Sequence, residues 1–177
     1  MEVKQFFKMK RFSLVLVAVM ALFVICFSCA EKSVRVDIYG ISFNCPPGWK
    51  VTETEDYGTA KYISIEKKGI SSSGLVTMSF TEENIELDEY LQIVQESFLD
   101  QGVFKDLVFQ QAKETDYGKY QGIVSSYTFE VMSIKHTGKI YVFYENGIIM
   151  ALVHQEAIED HTKNLPGFET IEESLRL

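Results

Sequence analysis

From residue 34 onward the chain alternates apolar and polar positions with a period of two. Val34, Val36 and Ile38 face one way and Arg35, Asp37 and Tyr39 the other, which predicts a strand. Gly40 interrupts the pattern, and Ile41, Phe43 and Cys45 resume it as far as Pro46-Pro47-Gly48. Proline fixes φ and lacks a backbone donor, so the Pro-Pro pair ends strand pairing and stiffens the corner. Trp49, the sole tryptophan, follows at once and opens the next strand with Val51 and Thr52. A ring placed directly after such a corner is expected to plug one end of the core. Residues 53–58 read as an acidic loop, and Tyr62, Ile63 and Ile65 as a third strand. A Ser-Gly loop at 71–74 leads into a fourth strand over 75–80.

The period then changes. Leu87, Tyr90, Leu91, Val94, Phe98 and Leu99 recur at helical spacing, which predicts a helix over 85–101. Asn84 is the expected N-cap, Asp88 and Glu89 suit the first turn, and Gly102 the stop. Alternation returns in one strand over 103–113, a turn at Asp116-Tyr117-Gly118, and a long strand over 121–132. Further strands follow around 140–144 and 148–153, joined by Asn146-Gly147, which supplies the positive φ values of a type I′ hairpin. The remainder, from about residue 156, reads as helix in two pieces divided at Pro166-Gly167, with Phe168, Ile171 and Leu175 as its apolar stripe. Strands, one helix, strands and a terminal helix imply an α+β fold, an antiparallel β-sheet covered by helices.

Residues 1–28 have a different character. Lys8-Met9-Lys10-Arg11 precedes an apolar run from Phe12 to Phe27, too short for the roughly 20 residues of a comfortable membrane-spanning helix. Basic residues ahead of a short apolar run fit a bacterial export signal, with Met1 or Met9 as its start. The run ends at Cys26-Phe27-Ser28-Cys29-Ala30, and small Ser28 before Cys29 resembles the lipobox of bacterial lipoproteins. That resemblance implies a signal peptide over 1–28, lipidation of Cys29, a polar tether over 29–35 and a single domain over 36–177. Cys26 and Phe27 depart from the usual aliphatic and small residues of a lipobox. Ordinary cleavage after Ala30, or a retained anchor, remains open beside lipidation.

The chain has 177 residues, 46% of them hydrophobic and 13% aromatic, enough for a sizeable folded core. The formal charge is −8 overall; residues 1–28 hold +3 of net charge, so the body beyond them carries −11. An acidic body argues against nucleic acid, whose phosphates need clustered Lys and Arg. After Cys29 the only cysteine is Cys45, so no disulfide can form within the body. Cys45 shares the strand face of Ile41 and Phe43 and reads as a small buried residue.

The landmarks Ile41-Ser42-Phe43, Pro46-Pro47-Gly48-Trp49, Glu86-Leu87-Asp88-Glu89-Tyr90, Tyr144-Glu145-Asn146-Gly147 and Phe168 to Arg176 resemble the PsbP/Mog-type α/β/α sandwich. The resemblance spans about residues 36–177. It implies a non-enzymatic domain that binds other proteins or assists an assembly, and it transfers no binding residue.

Candidate chemistry is sparse. The three histidines, His136, His154 and His161, form no H-x-x-x-H pair. His154-Gln155-Glu156 and Glu159-Asp160-His161 could gather nitrogen and oxygen ligands, but at a polar chain end they read as solvated surface. Glu53, Glu55 and Asp56 could hold calcium but lack EF-hand spacing. No nucleophile elbow, P-loop or dinucleotide fingerprint is present. The expectation is therefore no enzyme, no catalytic residue, no cofactor and no metal. The expected role is an accessory or protein-interaction module of the bacterial cell envelope, with an envelope protein partner and a membrane anchor at Cys29. The alternative is a carrier of a small apolar ligand, which would need a cavity of about 300 Å³ or more.

Overall fold

The structure is a computed structural model and describes residues 32–69 and 72–177. Cys29 and the signal segment lie outside the described residues. Ser33–Leu177 form one compact unit. Its elements run β1 (Val34–Ile38), β2 (Ile41–Cys45), β3 (Trp49–Asp56), β4 (Ala60–Lys67) and β5 (Leu75–Thr81), followed by helix α1 (Leu87–Asp100). After α1 come β6 (Lys105–Phe109), β7 (Lys113–Tyr117), β8 (Tyr120–Val131), β9 (Ile134–Glu145) and β10 (Ile148–Ala157). A 3-10 turn (Ile158–Asp160) leads into helix α2 (His161–Ser174). β1 begins at Val34, so the last two residues of the expected tether belong to the fold.

Eight strands form one antiparallel sheet in the order β3-β4-β5-β10-β9-β8-β6, with β7 also paired to β8. The sheet is two meanders joined where β10 returns beside β5, with α1 as the crossover. Each face has its own core. On one, Tyr90, Leu91 and Val94 of α1 pack with Tyr127, Phe129, Ile140, Val142 and Ile149. On the other, Phe168 and Ile171 of α2 pack with Ile41 and Phe43 of the β1–β2 hairpin over Ile63, Ile65, Met78 and Met150. A twisted sheet buried on both faces and covered by helices is the expected α+β architecture.

The Pro-Pro-Gly corner behaves as its chemistry requires. Gly48 adopts φ +74° and Trp49 lies buried at the start of β3. Its ring is held between two glycines, since a Cβ on Gly74 would come within 2.6 Å of it and one on Gly167 within 2.5 Å. Phe168 meets it edge-on, with ring centroids 5.6 Å apart. The C-terminus closes this end: Arg176 exchanges backbone hydrogen bonds of 2.8 and 2.9 Å with Ser42 of β2.

Several boundaries differ from expectation, each for a local reason. The acidic residues 53–56 are strand, not loop, and pair with β4 beyond a bulge after Val51. The expected single strand over 103–113 is two strands placed end to end along β8. At the break, the Gln110 N–H reaches the Ser126 carbonyl and the Ser125 hydroxyl donates to the Gln110 carbonyl. Tyr117 ends β7 and the turn falls on Gly118. α1 begins after Glu86, which makes no side-chain cap, so Asn84 is not the N-cap. β10 runs on to Ala157 because β9 pairs with it back to His136.

Pro166-Gly167 does not divide the last helix; α2 runs through it. Proline at this position removes the bond to the Thr162 carbonyl. Both residues are exposed, so water can take that carbonyl.

Candidate functional site

Strand alternation decides which side chains of β10 meet α2. Met150, Leu152, His154 and Glu156 fall on that face, and Ile149, Ala151 and Val153 turn to α1. His154 stacks on Phe168 of α2 at 4.4 Å between centroids. Tyr141, from β9, meets the His154 ring at 5.5 Å and the Tyr117 ring at 4.8 Å. The Tyr141, His154 and Phe168 rings floor an open pocket of about 540 Å³ between the sheet and the edge of α2. The strands supply Lys139, Tyr141, His154 and Glu156 to its lining; α2 supplies His161, Phe168, Glu169 and Glu172.

His154 and Glu156 are therefore not a solvated surface. They are 8% and 4% exposed. Burial, helped by the Lys139 charge, pushes the His154 imidazole down to about 3, so it is neutral at physiological pH. Its Nε2 lies 3.1 Å from the Tyr117 hydroxyl. With the ring proton on Nδ1, the phenol donates to Nε2. The Tyr117 phenol is itself held well above its ordinary value by burial first and by Glu172 second. The same two causes push Tyr141 up to about 12.

Glu156 accepts a 2.6 Å hydrogen bond on Oε1 from Nδ1 of His161, in the first turn of α2. Its other oxygen, Oε2, is buried without a partner. Glu172 Oε1 accepts from the Gly118 N–H at 3.0 Å. Asp160 belongs to a separate staple: its Oδ2 accepts from Ser73 Oγ at 2.9 Å and its Oδ1 from Lys163 Nζ at 2.7 Å. The Lys163 bond dominates in holding the Asp160 carboxyl below its ordinary value. Ser73 Oγ in turn accepts from the Ala157 N–H, tying the loop before β5 to the end of β10.

The sequence clusters thus separate. His154, Glu156 and His161 share the pocket wall, Asp160 fastens a loop, and Glu159 is exposed. Among the described residues no three His, Cys, Asp or Glu side chains are grouped to hold a metal ion. Asp56 pairs with Lys61 and accepts from the Gly58 N–H at 2.8 Å, while alternation along β3 sends it away from Glu55. Cys45 is buried, and burial raises its thiol pKa, the opposite of an activated nucleophile. Lys139, Tyr141, Glu169 and Glu172 carry no local signal as pocket residues, because the pocket brings β9 beside the second half of α2, nearly thirty residues on along the chain.

Neither pocket histidine is joined to a nucleophile. His154 Nε2 meets the buried Tyr117 phenol, His161 Nδ1 meets the Glu156 carboxylate, and the Thr137 hydroxyl on the lining donates to the Tyr127 carbonyl at 3.3 Å. What the arrangement offers is an open surface with an aromatic floor and acidic walls. Among the described residues no helix is long and apolar enough to cross a membrane.

No protein-family model matches the chain, and no curated protein matches it by sequence. Solved structures do match in shape. The cyanobacterial PsbP protein CyanoP of Synechocystis sp. PCC 6803 superposes with a TM-score of 0.57 at 14% identity, over 85% of this chain and 95% of that one. A Bacteroides thetaiotaomicron protein gives 0.53 at 15% identity, over 83% of this chain and 48% of the other. LpqN of Mycobacterium tuberculosis, described as involved in cell envelope biogenesis, gives 0.50 at 10% identity, over 83% and 86%. At these identities the likeness establishes architecture alone, and the architecture is the PsbP-like α+β sandwich.

Proposed function

We propose that this protein is a non-catalytic binding module of the bacterial cell envelope, tethered to a membrane by a lipid on Cys29 and acting on an envelope protein partner. The observation that carries the binding role is the pocket beneath α2. It is open, about 540 Å³ in volume, floored by rings and walled by carboxylates, and among the described residues the one side-chain hydroxyl bonded to either of its histidines is the buried Tyr117 phenol. A hydrolase would need a base free to take a proton from a nucleophile within hydrogen-bond reach. The basic leader and Ser28-Cys29 support the address.

A carrier of a small apolar ligand is the second reading, favoured by a volume within the 300–1,000 Å³ typical of small-molecule sites, about that range being general. The carboxylates in the lining count against a purely apolar guest.

Native mass spectrometry of the protein extracted from its own membranes in mild detergent tests both. A mature chain that starts at an acylated Cys29 and carries a stoichiometric protein partner is the expected result. A bound apolar molecule without a protein partner would put the carrier first. An unmodified chain with neither would overturn the proposal.

A further inference from the structure

We infer that the pocket beneath α2 recognises a cationic nitrogen, an ammonium or guanidinium, carried on an apolar stem. This rests on the reading of that pocket as the binding site and names the chemistry of what it takes.

The first observation is the orphaned oxygen of Glu156. The residue is 4% exposed and lines the pocket, His161 satisfies Oε1, and Oε2 has no donor. A buried carboxylate oxygen left without a donor is costly, and native proteins keep few such groups. A ligand bearing N–H donors supplies the missing bond. Oε2 is shielded from solvent, so a ligand reaches it by displacing the His161 ring, and its donors then serve both carboxylate oxygens. The His161 side chain is 59% exposed, and an exposed ring changes rotamer rapidly.

The second observation concerns α2. Glu169 and Glu172 sit in the half of the helix nearer its C-terminus, and its last turn contains no basic residue. The last turn of a helix carries partial negative charge, so the Glu172 carboxylate there is unfavourable unless a cation faces it. Glu169, one turn earlier, adds to the same negative wall. Among the described residues Glu172 has only the neutral Gly118 N–H as partner, and no ion pair involves Glu169. Across the pocket stands one ammonium, Lys139, without an ion-pair partner among the described residues. Three carboxylates facing one ammonium leave an excess of negative charge in a partly enclosed space, where charge is screened less than at an open surface.

The third observation is the floor. Tyr141 and Phe168 offer ring surface for an aliphatic stem and, for Tyr141, an aromatic partner for a cation. An anion would meet the carboxylates, and an uncharged apolar guest would leave Glu156 Oε2 as it is. Only a cation on an apolar stem satisfies all three features.

Such a group can come from a free organic amine or from a basic side chain of a protein partner. Isothermal titration of the full chain in non-ionic maltoside micelles separates the cases. The probes are hexylammonium, 1-hexanol and the tripeptide acetyl-Gly-Lys-Gly-amide. Hexylammonium should bind about tenfold or more tighter than 1-hexanol, the difference expected for a charge-assisted bond. Hexylammonium binding without the tripeptide identifies a free amine; tripeptide binding at equal or greater strength identifies a partner's side chain.

The double variant E169Q/E172Q keeps an acceptor for Gly118 and should cut the preference for the cation several-fold, leaving the part carried by Glu156. K139Q should tighten hexylammonium several-fold, an effect of opposite sign that a damaged fold cannot imitate. Equal binding of hexanol and hexylammonium, or no binding of either, would overturn the inference. In that event a protein partner retained in native mass spectrometry would leave the binding-module proposal standing, so the two failures are distinguishable.

Discussion

Gly167→Ala is the substitution whose sign most directly tests the packing at Trp49. In a helix interior alanine is favoured over glycine by about 1 kcal/mol, and Gly167 lies within α2 with no positive φ to excuse it. On propensity alone the variant should be more stable. The structure reverses that expectation, because the added Cβ would meet Cε2, Cζ2 and Nε1 of Trp49 at 2.5 to 2.6 Å. Ordinary contact begins near 3.4 Å, so the indole would have to recede by close to 1 Å. It has no room to do so. Gly74 bounds the far edge of the ring, where a Cβ would already lie 2.6 Å away, and Phe168 meets it at 5.6 Å between centroids.

Overpacking of this kind costs about 1–3 kcal/mol, and a ring confined on both sides falls in the upper part of that range. Offsetting it by the helix gain leaves a net loss of about 1–2 kcal/mol, or a fall in Tm of about 3–8 °C for a domain of this size. Urea or thermal unfolding followed by far-UV circular dichroism reads it in every variant, including those that lack Trp49, the sole tryptophan. The double variant W49F/G167A supplies the control. A smaller ring relieves the clash, so W49F should cost about 1 kcal/mol less in the alanine background than in the parent. A Tm for G167A equal to or above the parent's would refute the argument.

Three further outcomes follow from other parts of the molecule. Gly147 adopts φ +85° with open space where a Cβ would go, so G147A should lose about 1 kcal/mol in urea unfolding through backbone strain alone. His154 is held down to about 3 while an unfolded imidazole titrates near 6.5, so within that window the unfolded chain binds the extra proton. Stability should be complete above about pH 6.5 and fall as pH drops toward 3, by up to about 1.4 kcal/mol per unit. Unfolding at pH 7, 6 and 5 should show H154Q lacking that slope, and an identical slope in both proteins would remove His154 as its source. C29A should leave the membrane fraction for the soluble one, and unchanged fractionation would remove the lipid anchor.

Much of the architecture was legible in the sequence because its signals are local. The Pro-Pro-Gly corner, the Asn146-Gly147 hairpin with φ +53° and +85°, and the helical stripe of α1 each depend on residues within one element. The errors came where tertiary pairing overrides local preference. Lys135, Thr137 and Lys139 lack the look of a strand, yet β8 and β10 pair on either side of them and extend β9 back to Ile134. Pro166 reads as a helix breaker, yet packing of Gly167, Phe168 and Ile171 holds α2 continuous through it. The site was hidden for a related reason. β10 is buried on both faces, so residues 148–153 form an unbroken apolar run and the alternation that assigns His154 and Glu156 to one face is invisible. Extending that strand to Ala157 would have placed both residues in line with Met150 and Leu152, under α2 rather than in water.

The pocket itself follows from how α2 is anchored. A helix is about 10 Å across and strands lie about 4.8 Å apart, so one helix covers about two strands of an eight-stranded sheet. α2 is drawn toward the β1–β2 side by three contacts: Gly167 against Trp49, the Ser174 hydroxyl on the Asn44 N–H at 2.8 Å, and the Arg176–Ser42 backbone pair. That side of the sheet is closed by the helix and hairpin together. On the other side of α2, β9 presents Lys139 and Tyr141 to the pocket with no second element among the described residues laid over them, and Glu169 and Glu172 line the same gap. The same packing that plugs one end of the core thus leaves the other flank of the helix open. Substitutions that loosen the Trp49 contact should therefore alter ligand affinity at a pocket they do not line.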